Sequence, residues 1–255
     1  MVQPITPPQT DKLRDTVIHY ENIQIIRRNT RWPLRYVKKL QNNGNKVIAG
    51  VRGQIGLKQC RKLIKELDGV AVNIDDSLIK QTKKLNPNTH IIPEGEDPNL
   101  FKPTPKPNNT VLSWIGRDHK DFKNADILPK LGYPYKTATY YNYIPHHQIP
   151  TFLNNSSIHI VTSNHEGFCR PILEAALCGL PIITSNVGVA NQIVDTKYII
   201  EGSPRQNLIQ YKDLIKNLSD SLETREKIGA ENRRRAQQFT WDKVITNYDN
   251  LWDNI

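Results

Sequence analysis

The sequence predicts an α/β protein with two domains, each built on a parallel sheet. Short apolar runs alternate with amphipathic helical patterns along most of the chain, which is typical of parallel β-α-β units. A proline-dense segment at 93–109 interrupts this alternation and is predicted to link the two domains. The length of 255 residues suits two compact domains. No apolar run approaches the roughly 18 residues that a transmembrane helix needs, so no membrane span is predicted.

The first domain is predicted over 15–105, behind a polar, proline-rich leader at 1–14. Runs rich in valine and isoleucine predict its strands, and apolar residues at helical spacing predict its helices. Strands are expected at 16–20, 23–26, 46–51, 70–74 and 90–92, and helices at 31–41, 57–67 and 77–85. The helix at 31–41 is basic and amphipathic, and two interpretations stay open: it covers a sheet, or it contacts an anionic membrane as a peripheral anchor.

The second domain is predicted over 106–238, and a last helix is expected within 239–255. Strands are expected at 110–115, 135–140, 158–161 and 181–185, and helices at 124–131, 146–154, from 171 onward, and at 203–219, 223–239 and 241–254. Pro171 at the start of one helix and Gly179 just past its end are residue types that favour those boundaries. His146 and His147 open another helix and are interpreted as capping or surface residues.

Charge and cysteine usage limit the function classes without choosing one. The 35 Lys and Arg residues exceed the 25 Asp and Glu residues by 10, and this positive charge attracts nucleic acid, acidic membranes or phosphorylated small molecules. Cys60, Cys169 and Cys178 contain no C-x-x-C pair and fit no disulfide framework, which predicts a reducing, cytoplasmic setting. Cys169, Cys178 and His165 lack the spacing of zinc ligands, so no metal site is predicted.

The segment 163–188 is the most informative stretch for chemistry. A predicted strand runs through a loop into the helix that starts near Pro171, so the helix N-terminus faces the carboxyl edge of a parallel sheet, where such sheets bind ligands. The free N–H groups there favour an anion. Glu166 lies in the loop and Glu174 in the predicted first turn of the helix, and both are expected to face one crevice and accept sugar hydroxyls. A second interpretation of Glu174 stays open, namely stabilisation by the helix dipole alone.

This segment resembles the donor-site motif of glycosyltransferase family 4, the large retaining GT-B family. The matching run at 166–183 reads EGFCRPILEAALCGLPII, with two glutamates separated by seven residues. Supporting matches in the same order are IPEGEDPNLF at 92–101, GRDHKDFKN at 116–124 and FTW at 239–241. The resemblance covers about 46–255 and implies a GT-B fold of two Rossmann-like domains with parallel sheets. It also implies a compact member with an abbreviated N-terminal domain and a final helix, 239–255, packed back on that domain.

The resemblance assigns roles to individual residues. Arg117 and Lys123 would stabilise the leaving diphosphate in place of a metal, with Lys120 as an alternative to Lys123 because the common spacing is one residue shorter. Glu166 would bind the donor sugar near the reacting carbon, and Glu174 the ribose of the nucleotide. The donor-binding residues implied are Glu174, Gly116, Gly167, Phe168, Cys169, Arg170 and Lys120. Cys169 and Arg170 stand where the family has small or apolar residues, which puts the donor sugar in doubt.

The function implied is transfer of a sugar from a nucleotide-diphosphate sugar to a glycan, a lipid-linked sugar or a surface polysaccharide, with retention and without metal or other cofactor. The partners expected are the nucleotide sugar and that acceptor. Two alternatives stay open. One is a glycosyltransferase acting on a nucleic-acid base, which would account for the charge of +10. The other is a non-catalytic subunit that retains a nucleotide-sugar site.

Overall fold

The computed structural model describes residues 17–20, 22–24, 26 and 33–254. The predicted leader at 1–14 and the first two residues of the helix predicted at 31–41 lie outside the described residues. The chain divides into two compact units. The first comprises residues up to Val72, Asp76–Ile91 and the last seven residues from Asp249; the second comprises Asn73–Asp75 and Ile92–Tyr248. The domain bounds drawn from the sequence stay a prediction.

The first unit contains a four-stranded parallel sheet in the order β1-β2-β3-β4. The strands are β1 (Val17–Tyr20), β2 (Lys46–Val51), β3 (Gly69–Val72) and β4 (Thr89–Ile91), and the helices are α1 (Pro33–Asn42), α2 (Gln54–Gln59), α3 (Arg61–Ile64) and α4 (Asp76–Lys83). β2 and β3 are almost fully buried, as expected of strands covered on both faces.

Two predictions for the first unit are wrong. The run at 23–26 was predicted as a strand, but Ile23 and Gln24 are helical, because a short apolar run does not distinguish the two states. Ile23 and Ile26 are both buried, three residues apart, as on one face of a helix. The single helix predicted at 57–67 is two short helices that meet at Cys60.

The second unit contains a five-stranded parallel sheet in the order β6-β5-β7-β8-β9. Its strands are β5 (Leu112–Ile115), β6 (Tyr135–Ala138), β7 (Ile158–Val161), β8 (Ile182–Ser185) and β9 (Ile199–Ile200). Its helices are α5 (Ile149–Asn154), α6 (Arg170–Leu177), α7 (Ala190–Ile193), α8 (Leu208–Ser219), α9 (Leu222–Ala236) and α10 (Trp241–Asp253), the last of which ends in the first unit. The chain leaves β5 toward β6 and then returns to the other side of β5 as β7, so the strand order reverses between β5 and β7. Ligands bind open sheets at such a reversal.

The core of the second unit includes buried apolar side chains of β5, β7, β8 and α6, together with others from the surrounding helices and loops. Trp114 of β5 is 2% exposed, and its indole N–H donates to the hydroxyl of Thr162 across 3.0 Å, so burying the ring leaves no unmet donor. Among the described residues, no helix is both long enough and apolar enough to cross a bilayer. The cytoplasmic setting and the peripheral membrane contact stay predictions.

Candidate functional site

The sequence-predicted site residues lie where β5 and β7 end, on either side of the strand-order reversal. Gly116 and Arg117 follow β5, and the loop 162–169 connects β7 to α6. A side chain at Gly116 would bring its Cβ within 2.7 Å of the Trp114 ring, so the indole leaves room only for glycine. The sheet topology therefore brings the two predicted loops to one edge of one sheet.

Lys123 and Glu166 form an ion pair at this edge. The Lys123 ammonium contacts Glu166 Oε1, and the two side chains are only 13% and 15% exposed. The hydroxyl of Ser163 donates to the same carboxylate oxygen across 2.7 Å. Two donors on one oxygen hold this nearly buried carboxylate in a fixed orientation.

Hydrogen bonds between the two loops hold this pair in place. Thr162 donates its hydroxyl proton to the Lys123 carbonyl across 2.6 Å, and the Asn164 N–H donates to the Phe122 carbonyl across 2.7 Å. Asn124 is buried in the left-handed region at φ 49°, and its amide donates to the Thr162 carbonyl at 2.7 Å and to Asn164 Oδ1 at 3.0 Å. These hydrogen bonds fix the backbone at and beside Lys123. The position of Lys123 therefore does not depend only on the contact of its side chain with Glu166.

Arg117 and Lys120 occupy the same loop but point to solvent. Both are exposed, and neither side chain has a hydrogen-bond or ion-pair partner in the part of the chain that the structure describes. The structure thus brings Lys123, and not Lys120, together with Glu166. Which of the two lysines contacts a diphosphate stays a prediction.

The start of α6 presents a row of unused backbone donors. Within the described residues, the N–H groups of Gly167, Phe168, Cys169 and Arg170 have no acceptor. Cys169 caps the helix in the left-handed region at φ 68°, and burial raises the pKa of its thiol well above the usual range. These donors are therefore available to an anion or to sugar hydroxyls, whereas the thiol stays neutral.

Phe168 contributes backbone and not side chain to the site. Its ring is 2% exposed and packs edge-on against Phe239 at 5.7 Å between centroids. Its carbonyl accepts the Val189 N–H at 2.8 Å beside Gly188, which has φ +53°. A Cβ at Gly188 would overlap that carbonyl, so glycine is required twice there, by the positive φ and by the close approach of the two loops.

Glu174 lies in a different environment from Glu166. Because α6 begins at Arg170, Glu174 belongs to the second turn of the helix and not to the first turn, as was predicted. The helix dipole acts mainly within the first turn, so it is not the main reason for a glutamate at this position. Its carboxylate is 8% exposed, and Oε1 lies 3.6 Å from His146 Nε2 and 3.9 Å from Arg170 Nε.

Glu96 completes a charged network that the sequence analysis missed. It is 3% exposed, and its Oε2 accepts from Arg170 Nη2 at 3.0 Å and contacts His146 Nε2 at 3.1 Å. Glu94 adds a third carboxylate, 3.7 Å from Arg170 Nε. His146 lies at the surface, as predicted, with a side chain that is 49% exposed, but it also contacts two carboxylates that the sequence did not indicate. Arg170 joins segments 74 residues apart.

Three members of this network, Glu96, His146 and Glu174, place one possible ligand atom each within 4.8 Å of the others, as a metal site would. The guanidinium of Arg170 already contacts two of these carboxylates and lies 3.5 Å from His146 Nε2. A divalent ion would have to compete with this cation for the same oxygens. The donor set therefore fits arginine better than a metal.

A polar cavity of about 310 Å³ opens on the side of β7 away from β5. It lies at the carboxyl ends of β8 and β9 and adjoins the Glu166 loop through Asn164. Its lining residues are Asn164, Ser185, Asn186, Val187, Glu201, Gly202 and Ser203. Amides and hydroxyls dominate this surface, so it suits a hydroxyl-rich molecule.

We expect His146 to make stability depend on pH. Contact with Glu174 raises the pKa of His146 above its ordinary 6.5, the charge of Glu96 acts in the same direction, and partial burial and Arg170 oppose it. Protonated His146 therefore stabilises the fold fully below pH 6.5, and this contribution is lost as pH rises through the raised value. The free energy of unfolding, measured by urea titration at several pH values, should fall across this window, and His146→Gln should flatten the fall.

His147→Gln is the matched control for this measurement. His147 is exposed and lies next in the chain, and its Nε2 lies 3.4 Å from Nε2 of Gln148. Equal pH slopes for wild type and His146→Gln would contradict the proposed contribution of the network.

Comparison with known proteins finds one matching family and several relatives. The sequence profile of the family Glycosyl transferases group 1 matches residues 110–235. Spore coat protein SA of Bacillus subtilis (strain 168) is 32% identical over 146 residues, which cover 55% of this chain and 38% of that protein. O-antigen chain mannosyltransferase B of Escherichia coli is 28% identical over 113 residues, which cover 44% of this chain and 29% of that protein. The chain thus spans well under half the length of these curated relatives.

Solved structures share the fold at low identity. The complex of Anabaena HepE with UDP and glucose has a TM-score of 0.71 at 16% identity, covering 93% of this chain and 77% of that one. Sucrose-phosphate synthase from Thermosynechococcus elongatus has a TM-score of 0.70 at 15% identity, covering 93% and 73%. The profile match places residues 110–235 in the glycosyl transferases group 1 family, and the two parallel α/β sheets together with these structures show the GT-B fold that the motifs predicted.

Proposed function

We propose that this protein transfers a sugar from a nucleotide-diphosphate sugar to a carbohydrate acceptor. The observation that carries the proposal is the Lys123–Glu166 pair at the strand-order reversal, beside the unused N–H groups that begin α6. A cation, a carboxylate and a row of backbone donors are the groups needed to hold a diphosphate and a sugar at one place.

The diphosphate is stabilised by two side-chain cations. Departure of a nucleoside diphosphate develops negative charge on the bridging oxygen, and preorganised positive groups lower the barrier. Arg117 is exposed and has no partner in the described chain, so its guanidinium is available to the phosphates. Lys123 has three N–H donors and can retain Glu166 while it contacts a phosphate. These two cations supply the charge that metal-dependent transferases take from a divalent ion.

Glu166 binds the donor sugar. Its Oε1 is occupied by Lys123 and Ser163, whereas Oε2 has no partner within the residues that the structure describes. The free oxygen accepts sugar hydroxyls, and the polar cavity that begins at Asn164 provides amides and hydroxyls next to it. Transfer then proceeds with retention, as in the family that the motifs resemble.

Glu174 binds the ribose of the nucleotide. Oε1 lies 3.6 Å from His146 and 3.9 Å from Arg170, and Oε2 accepts no hydrogen bond among the described residues. The network orients this carboxylate so that the second oxygen accepts a ribose hydroxyl. Two similar proteins support a sugar nucleotide and a glycan in general terms: one is an O-antigen chain mannosyltransferase, and the structure of another holds UDP and glucose.

The test is a panel of UDP-glucose, UDP-N-acetylglucosamine, GDP-mannose and ADP-glucose, read by the shift in melting temperature and by mass spectrometry of the released nucleotide. We expect at least one donor to raise Tm at saturating concentration by mass action, and Glu166→Gln to lose the sugar-dependent part of that shift. Glu226→Gln, which neutralises an exposed glutamate on α9 outside the cavity, serves as the matched control. If no member of the panel raises Tm or is cleaved, the proposed function is wrong.

A further inference from the structure

The net positive charge of this protein belongs almost entirely to the first unit. Over the bounds given above, that unit contains 17 Lys and Arg residues and 8 Asp and Glu residues, an excess of nine positive charges. The second unit contains 18 and 17, an excess of one. The charge of +10 is therefore a property of the first unit, whereas the candidate site lies in the second.

The helices of the first unit form one layer on one face of its sheet. Because crossovers between parallel strands are right-handed, the order β1-β2-β3-β4 places every connecting helix on the same side. Alternate residues of β2 and β3, from Val47 and Val70 onward, share one core with inward-facing helix residues such as Val37, Leu57 and Leu78. α1 and α2 both pack on α3, and α2 also packs on α4, so the helical layer is continuous.

The outer surface of this layer is densely cationic. Every Lys and Arg in 33–42, 54–66 and 76–84, ten in all, is exposed, and the structure describes all three segments. The exposed acids of these segments are Glu66 and Asp76, and Glu66 pairs with Lys38 at 3.6 Å. We call the outer surface of these three segments the cationic face.

Apolar side chains project from the same face. Ile55, in the first turn of α2, is 66% exposed, and Leu34, in the first turn of α1, is 37% exposed. Lys58 lies one helical turn after Ile55 and is exposed on the same side of α2. Lysines beside an exposed aliphatic side chain combine the two forces that hold a protein on a lipid surface, attraction to anionic headgroups and insertion at the boundary with the acyl chains.

An anionic lipid surface fits this face better than a nucleic acid does. Eight of the ten cations are lysines, whereas arginine is the residue suited to nucleic-acid contacts. The aromatic residue of these segments, Tyr36, is half-buried with its hydroxyl 3.0 Å from that of Tyr20, so the face offers no exposed ring on which a base could stack. A second copy of the chain would present the same excess of positive charge and be repelled.

We propose that the cationic face docks this protein on an anionic lipid bilayer, with its lysines at the headgroups and Ile55 inserted at the boundary. The two interpretations of the helix predicted at 31–41 are then compatible, because Val37 and Leu40 cover the sheet while Lys38 and Lys39 face outward. The inference goes beyond the proposed function, since it depends on the first unit and involves neither a donor nor an acceptor.

The test is co-sedimentation of the full chain with vesicles of phosphatidylcholine, alone or with about 30% phosphatidylserine. At about 100 mM KCl we expect at least tenfold tighter binding to the anionic vesicles, and loss of that difference at about 500 mM because salt screens the attraction. Lys58→Gln/Lys62→Gln should weaken binding to the anionic vesicles by tenfold or more. Ile55→Ser should weaken it by threefold or more, because the aliphatic side chain no longer enters the boundary.

Matched controls lie on α8 of the second unit. Lys212 and Lys216 are exposed and four residues apart, which is the spacing of the two lysines changed on the cationic face, and Ile209 is 76% exposed. Lys212→Gln/Lys216→Gln removes the same net charge, and Ile209→Ser removes the same side chain. Both variants should bind the vesicles as wild type does, and circular dichroism confirms that every variant is folded.

Three results would overturn the inference. The first is equal binding to neutral and anionic vesicles, and the second is a cationic-face variant that binds no more weakly than its α8 control. The third involves a DNA duplex of about 20 base pairs under the same conditions: if it binds more tightly than the anionic vesicles and depends on Lys58 and Lys62, the face is a nucleic-acid site. The donor panel is measured without vesicles, so the proposed function stands or fails independently of this experiment.

Discussion

Lys123→Met is expected to lower kcat/KM for sugar transfer by about 100- to 1000-fold, the usual effect of removing one group that stabilises charge in a transition state. Lys123 is the cation that the structure places against Glu166, at the edge where the diphosphate is proposed to leave. Lys120→Met is the matched control, because Lys120 is three residues away, exposed and without a described partner. Its effect should stay within about threefold, as for other exposed charges.

A stability measurement separates chemistry from folding in this experiment. Lys123→Met alone leaves the nearly buried Glu166 carboxylate without its cation, which we expect to cost about 1–3 kcal/mol of unfolding free energy, below the cost for a fully buried pair. The double variant Lys123→Met/Glu166→Gln removes both charges and should recover most of that loss while staying inactive. If Lys120→Met abolishes transfer and Lys123→Met does not, the diphosphate contact belongs to Lys120.

The sequence could not decide between these lysines, and the reason is local backbone geometry. Residues 121–123 form a 3-10 turn that ends at Asn124 in the left-handed region, and this turn directs Lys123 toward β7. The spacing of residues in the sequence does not reveal that Asn124 adopts a positive φ, so it could not predict the direction of Lys123. The helix predicted at 124–131 is likewise a 3-10 helix over Ala125–Leu131, because Pro129 removes an α-helical N–H and blocks the preceding turn.

Other parts of the fold were accessible from local patterns. The strand predicted at 158–161 is observed over the same residues, because three β-branched residues in a run of four favour a central parallel strand. Gly179 follows α6 with φ +73°, as the boundary residues predicted. The two-residue strand β9 and the four-residue helix α7 were missed, because elements that short have no periodicity to detect.

The charged network around Glu174 could not be predicted from local sequence patterns. Arg170 was recognised as a departure from the family, but its partner Glu96 is 74 residues away and belongs to a segment that was interpreted as the start of a linker. The only available signal was two unexpected acids, Glu94 and Glu96, in a segment that resembles a mostly uncharged family motif. The nearly buried Glu96 and the departure from the family at Arg170 are explained together, since either residue alone would leave a charge without a partner.

Gly229→Ala is expected to destabilise the protein, although glycine to alanine inside a helix normally stabilises by about 1 kcal/mol. Gly229 is buried in the middle of α9, where the helix packs against the end of α6. A Cβ there would overlap the carbonyl oxygen of Gly179 and lie 2.8 Å from its carbon, so two backbones and not flexible side chains would have to separate. We expect a loss of about 2–3 kcal/mol and a fall in Tm of roughly 5–10 °C, measured by calorimetry.

Ala230→Gly is the matched control on the same helix, because Ala230 is exposed and should lose only about 1 kcal/mol of helix propensity.

We also expect Gly229→Ala to disturb the candidate site. α9 holds the last turn of α6 through Asn232, which donates to the Leu180 carbonyl at 3.0 Å, and through Arg233, which contacts the Leu177 carbonyl. The opposite end of that same short helix presents the N–H groups proposed to hold the donor. Gly229→Ala should therefore weaken nucleotide binding well below its melting temperature and Ala230→Gly should not, whereas a rise in Tm for Gly229→Ala would show that helix propensity outweighs this contact.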